Sequence, residues 1–141
     1  MRRICWDTML FIYLLEGNAA HVSRVRHILE HCYERGDDLC CSYLALAEII
    51  AGAALSTDPK KETVIQNTIR DMGFHFLAFD QGAVLPFSRL RSKNKLRVAD
   101  SIHLACAASA KVDLFLTGDK QLVKLHVPGV QFIADFNTPL I

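Results

Sequence analysis

The sequence has almost no excess of charge, since sixteen Lys plus Arg face fifteen Asp plus Glu and leave a formal +1. Attraction to nucleic acid or membrane by net charge is therefore excluded, and any polyanion site has to come from local placement of bases. Long hydrophobic runs are also missing. The longest, residues 43–55, carries a carboxylate and is shorter than the roughly 20 residues that span a bilayer. Met1 to Asp7 leads almost directly into an apolar stretch with an acid and no small-residue cleavage site, which does not read as a signal peptide. Internal repeats, low-complexity tracts and linkers are absent, and no Gly-rich phosphate turn follows the first apolar run, which disfavours a dinucleotide-binding domain. Cysteines 5, 32, 40, 41 and 106 are odd in number and lack metal-type spacing. They read as small core residues of a protein in a reducing cytoplasm. What remains is 51% hydrophobic and 22% charged over 141 residues, a composition that excludes disorder and suits one domain spanning 1–141.

Strand-like runs alternate with helical ones along the chain. Strands are expected at 3–6, 39–42, 74–79, 114–117 and 130–133, and helices at 8–16, 19–35, 43–55, 98–110 and 120–125. Gly17, Gly36 and Gly73 are natural helix stops. Thr57 or Asp58 can cap a helix whose first residue is Pro59, and Asp80 can cap one reaching about Arg91 that Pro86 should kink or delay. Short apolar strands alternating with helices imply an α/β fold with a parallel sheet covered on both faces, and ligands in such folds sit at the carboxyl ends of the strands.

The informative feature is where isolated acids fall. Asp7 is the one charged side chain between Ile4 and Leu15, Glu48 the one between Tyr43 and Leu55, and Asp100 the one between Val98 and Ala110; Asp119 follows the apolar run 114–117. A carboxylate in apolar company costs several kcal/mol unless something offsets it. Glu48 has Leu44, Ala45, Ala51 and Gly52 as its helical neighbours, so no base on its own helix can do so. Convergence of all four acids at one sheet edge is the simplest explanation. Taken singly, Asp7 and Asp100 can be helix caps and Asp119 can close a turn at Gly118, but Glu48 has no comparable structural role. Four acids at one edge repel unless a cation is present, and hard oxygen donors suit Mg²⁺ or Mn²⁺. Such ions are most useful with phosphate esters.

Residues 5–8 (Cys-Trp-Asp-Thr), 46–52 (Leu-Ala-Glu-Ile-Ile-Ala-Gly), 99–105 (Ala-Asp-Ser-Ile-His-Leu-Ala) and 116–119 (Leu-Thr-Gly-Asp) resemble the ordered acidic motifs of PIN-domain ribonucleases, most closely the VapC-like toxins of bacterial toxin–antitoxin pairs. The resemblance runs over essentially the whole chain. It implies a three-layer α/β/α sandwich with a central, mostly parallel sheet, and Mg²⁺- or Mn²⁺-dependent cleavage of RNA by a metal-activated water that leaves a 5′-phosphate and a 3′-hydroxyl. It also implies a homodimer and inhibition by a small antitoxin. By motif match Asp7, Glu48, Asp100 and Asp119 are the catalytic, metal-binding acids, with Thr8 and Thr117 as supporting hydroxyls. Met9 departs from the pattern, which usually has a small polar residue there.

Arg89, Arg91, Lys93, Lys95 and Arg97 form a run of bases without an acid just before Asp100. A solvated helix end is the default reading of such a run; beside a metal site it is a candidate grip on an RNA backbone. His27, His31 and Glu34 share a helical face that can ligate a metal, although Arg24 on the same face favours plain exposed surface. His103, one turn after Asp100, can touch substrate or the carboxylate, or serve as a hydrogen-bonded structural residue. Phe11, Tyr13, Leu14 and Leu15 read as core, part of which would form the antitoxin groove in a toxin. Two rivals remain open: a PIN-fold interaction domain with weak or no catalysis, and a phosphatase using Asp7 as nucleophile, which would want a second acid where Met9 stands.

Overall fold

The computed structural model describes residues 2–53 and 59–138. The proposed caps Thr57 and Asp58 lie outside the described residues. The elements are β1 (Arg3–Trp6), α1 (Thr8–Glu16), α2 (Val22–Arg35), β2 (Asp38–Ser42), α3 (Tyr43–Ala53), α4 (Pro59–Asp71), β3 (Phe74–Leu77), α5 (Gln81–Ser92), α6 (Val98–Ser109), β4 (Leu114–Thr117), α7 (Lys120–Val123) and β5 (Phe132–Asp135). The five strands form one sheet in the order β3-β2-β1-β4-β5, with every pairing parallel.

Alternation along these strands divides the core in two, as the two-residue side-chain period requires. Ile4, Trp6, Leu39, Cys41, Leu114 and Leu116 face one apolar cluster, shared with α1, α2, α3 and α4. Cys5, Cys40 and Phe115 face the other, shared with α5, α6 and α7. Both faces are therefore covered, and the architecture is the three-layer α/β/α sandwich expected from the sequence. All five cysteines are buried free thiols. Burial pushes the Cys32 and Cys106 thiols up to about 11 and Cys41 higher still, so these thiols are core atoms and not nucleophiles.

Several details differ from expectation. Asn18 Oδ1 accepts from the backbone N–H groups of Ala20 (3.0 Å) and His21 (3.2 Å), which holds a turn and delays α2 to Val22. β5 lies at 132–135 because its register pairs Leu114 with Phe132 and Thr117 with Asp135, while Val130 packs into the second cluster. β3 ends at Leu77, two residues early. Asp80 is the N-cap residue of α5 as expected, but its carboxylate accepts from Ser109 Oγ at 2.5 Å and makes no capping hydrogen bond, and Pro86 sits inside α5 without delaying its start. Gly129 is required twice over: its φ is +98°, and an added Cβ would lie 2.6 Å from the Ala108 carbonyl oxygen.

Candidate active site

The order of the sheet puts the ends of β1, β2 and β4 side by side, and the residues that follow them build the site. Asp7 extends the ladder by one bond, its N–H donating to Leu116 O at 2.9 Å, and then begins α1. Its carboxylate is held on both oxygens: Oδ1 accepts from Thr8 N (2.8 Å) and Oδ2 from Thr117 Oγ1 (2.7 Å). Thr117, fully buried at the end of β4, also accepts from Asp119 N at 3.0 Å, so one hydroxyl ties the first acid to the last. Asp119 Oδ1 in turn accepts from Gln121 N (2.9 Å) at the start of α7.

The other pair comes from α3 and α6. Thr8 Oγ1 donates to Glu48 Oε1 at 2.8 Å, and His103 Nε2 lies 2.6 Å from the same oxygen. On the far side of the ring His103 Nδ1 lies 2.7 Å from Ser42 Oγ, which also accepts from Ala45 N (3.1 Å) and thereby caps α3. The His103 side chain is 5% exposed and that of Glu48 39%, so the imidazole is sealed beneath a carboxylate that reaches the cleft. Asp100, one turn before His103, receives Arg97 Nε on Oδ2 at 3.1 Å. Ser42, His103 and Glu48 are thus in line, but Ser42 is 1% exposed and occupied by a backbone amide, which excludes it as a nucleophile.

Asp7, Glu48, Asp100 and Asp119 line a single cleft of about 460 Å³, together with Thr8, Met9, Arg97 and His103. Thr117 lies beneath it, bonded to Asp7. Burial raises the Asp7 pKa above the ordinary carboxylate value and Asp100 adds to the rise; the Thr117 hydroxyl, His103 and the Thr8 N–H oppose it. Among the described residues no three acidic, imidazole or thiol side chains are drawn together tightly enough to hold a metal ion as they stand. The donor set nevertheless fits one: it is all oxygen, gathered at one cleft, with Asp7 carrying a burial penalty that its hydrogen bonds only partly offset and that a cation would relieve.

Met9 lines the same cleft and is 41% exposed, placing a thioether where the motif has a small polar group. Of the basic run, Arg97 borders the cleft and Arg91 donates to the Leu96 carbonyl. His103 was singled out by its spacing from Asp100, yet its partner is Glu48, on another helix. Ser42 was not singled out; its signal is a hydroxyl at the carboxyl end of an apolar strand that is followed at once by a helix. The His27 and His31 rings lie with centroids 4.2 Å apart, tilted by 55°, on α2 and belong to no metal group among the described residues. No helix there is long and apolar enough to cross a membrane.

Residues 4–127 match the PIN domain family. Among solved structures the fold is similar to a chain of VapBC2 from Rickettsia felis bound to a DNA fragment from their promoter, with a TM-score of 0.73 and 14% identity over 94% of this chain and 98% of that one. DNA-bound VapBC from Salmonella typhimurium gives a TM-score of 0.72 and 20% identity over 96% and 99% of the two chains. A toxin–antitoxin complex from Klebsiella pneumoniae gives 0.62 and 22% identity over 90% and 94%. No curated protein matches the sequence. At these identities the structural likeness is one of fold.

Proposed function

Because the chain belongs to the PIN domain family, we propose that it is a metal-dependent endoribonuclease and the toxin of a toxin–antitoxin pair. The observation that carries this reading is the gathering of Asp7, Glu48, Asp100 and Asp119 on one cleft at the carboxyl edge of the sheet. These four acids would hold Mg²⁺ or Mn²⁺. A bound ion would supply positive charge against the phosphodiester and lower the pKa of water.

The chain's own residues prepare that site. Thr117 and the Thr8 N–H fix both oxygens of Asp7, so its carboxylate cannot rotate away. Thr8 and His103 saturate Glu48 Oε1 and leave Oε2 for the cleft, which makes His103 a positioning residue. The short contact to a carboxylate places a proton on His103 Nε2, and Ser42 fixes the ring from behind. Arg97, which pairs with Asp100 at the cleft, would meet an RNA phosphate, and the remaining bases of its run would contact the backbone further along the strand.

An apolar groove of about 300 Å³ lined by Ile12, Leu15, Ile49, Val64 and Ile65, between α1, α3 and α4, suits an antitoxin segment, as the complexes formed by the structural neighbours suggest. We place the protein in the cytoplasm as a homodimer that binds this partner. The inactive-domain alternative rests on Met9 alone. A phosphatase with Asp7 as nucleophile is disfavoured, since both oxygens of Asp7 already accept hydrogen bonds.

The test is cleavage of RNA by the purified protein with Mn²⁺, compared with Asp7→Asn and Asp100→Asn. Loss of cleavage in both variants is expected. Equal cleavage by all three proteins would mean a contaminating nuclease and would remove the assignment.

A further inference from the structure

The five bases between residues 89 and 97 do not form one patch. Arg97 borders the acidic cleft, whereas Arg89 in the last turn of α5 and Lys93, its C-cap, stand four residues apart and line a separate cavity of about 240 Å³. The opposite wall carries His126, from the segment between α7 and β5, and Asn94 completes the rim. The floor is apolar: Leu90 and Val127, which line the cavity, are each 3% exposed and packed into the second core cluster. No acid lines this cavity, and among the described residues the side chains of Arg89, Lys93 and His126 have no hydrogen bond or ion pair. Like charges at i and i+4 repel. Among the described residues no acid on the cavity lining pairs with either base, so the two are suited to an anion from outside.

We propose that this cavity is a docking subsite for one nucleotide of a single-stranded RNA substrate, an inference that rests on reading the protein as an RNA nuclease. Arg89 and Lys93 hold the phosphate. The base lies on the apolar floor against the His126 ring, a contact that tolerates any sequence because every base has a π-face. Asn94 on the cavity rim and Arg97 at the cleft are three residues apart, so their Cα atoms are at most about 11 Å from one another. One strand can therefore touch both sites, and the cavity would set which way the strand enters the cleft.

The experiment is fluorescence anisotropy of the full chain in EDTA, where nothing is cleaved, with a labelled ten-nucleotide single-stranded RNA. Arg89→Glu combined with Lys93→Glu should weaken binding at least tenfold and flatten the salt dependence by about two in slope. His126→Ala should weaken it several-fold with the slope unchanged. A charge-matched control, Arg26→Glu with Lys61→Glu on exposed helix faces, should do neither. All of these side chains are exposed, so folding is not at stake.

Binding by the double variant equal to wild type, or an equal loss in the control, would overturn the proposal. So would an equal loss for duplex DNA or for a poly-glutamate peptide, which would assign the cavity to DNA or to an acidic protein segment. Cleavage is read separately. Pocket-dependent RNA binding without Mn²⁺-dependent cleavage removes the nuclease reading and keeps the subsite; cleavage with unaltered binding in the variants does the reverse.

Discussion

The two edges of the sheet treat their acids in opposite ways. At the amino edge Asp38 receives Arg3 Nε at 2.8 Å and His75 Nε2 at 2.9 Å, and Asp37 receives Arg35 Nε at 2.9 Å. Asp113 there accepts from the Arg3 backbone N–H at 2.8 Å. At the carboxyl edge Asp7 and Asp119 are bonded by hydroxyls and backbone amides, Glu48 by a hydroxyl and an imidazole, and Asp100 by an Arg97 that is 81% exposed and so screened by solvent. The amino edge pairs two of these three acids, Asp37 and Asp38, with arginines, whereas the carboxyl edge pairs one of four, Asp100, and holds the other three in shape without neutralising them. An edge of the second kind is costly to the apo fold and useful to a ligand that brings positive charge.

The largest effects should follow from removing acids at the open edge. Asp100→Asn is expected to lower Mn²⁺-dependent RNA cleavage by more than the 10–100-fold typical of losing a hydrogen-bonding partner of a ligand, whereas Asp38→Asn at the closed edge should leave cleavage unchanged. If Asp38→Asn is as damaging as Asp100→Asn, the distinction between the edges carries no functional meaning. Next in size is His103. His103→Leu should weaken Mn²⁺ binding, read calorimetrically without RNA, by about 10–100-fold, and His103→Gln should recover part of it by restoring a donor to Glu48. A leucine variant that binds Mn²⁺ like wild type would reduce His103 to a core residue.

This comparison was only half legible in the sequence. Apolar strands announced the parallel sheet, because a strand buried on both faces leaves a continuous hydrophobic run, and a single acid inside each of three such segments announced the open edge. The partners were harder to see. Ser42 and His103 are 61 residues apart, and His103 meets Glu48 across 55, so no local spacing links them. β5 was placed two residues early because Val130 and Ile133 are equally apolar, and only pairing with β4 chooses the register. Asp80 does hold the N-cap position, but its carboxylate is drawn to Ser109, whose proximity is tertiary. The division of the basic run was hidden for a similar reason, since His126 comes from a distant segment.

A smaller effect concerns stability without metal. The folded-state pKa of Asp7 is raised by burial, so the folded chain binds its proton more tightly than the unfolded chain does. Stability then falls as pH rises from the ordinary carboxylate value through the raised one, and the penalty is fully present above it. Asp7→Asn removes the charge while keeping the shape, so in EDTA at neutral pH it should raise the melting temperature by about 2–4 °C, and with Mn²⁺ present it should abolish cleavage. Its advantage should shrink as pH is lowered through the raised pKa. A variant less stable than wild type at neutral pH would mean that the Asp7 charge is already compensated in the apo protein.

The smallest effect belongs to the closed edge. Arg3→Ala removes a guanidinium that bonds Asp38 and the Ala110 carbonyl, but the side chain is 44% exposed, so the expected cost is about 0.5–1 kcal/mol, measured by urea unfolding, with Mn²⁺ binding untouched. That sign is opposite to the one expected for Asp7→Asn. Removing charge destabilises where charges are paired and stabilises where they are not, and the same sign at both edges would mean that the sheet has no charged polarity for a cation to read.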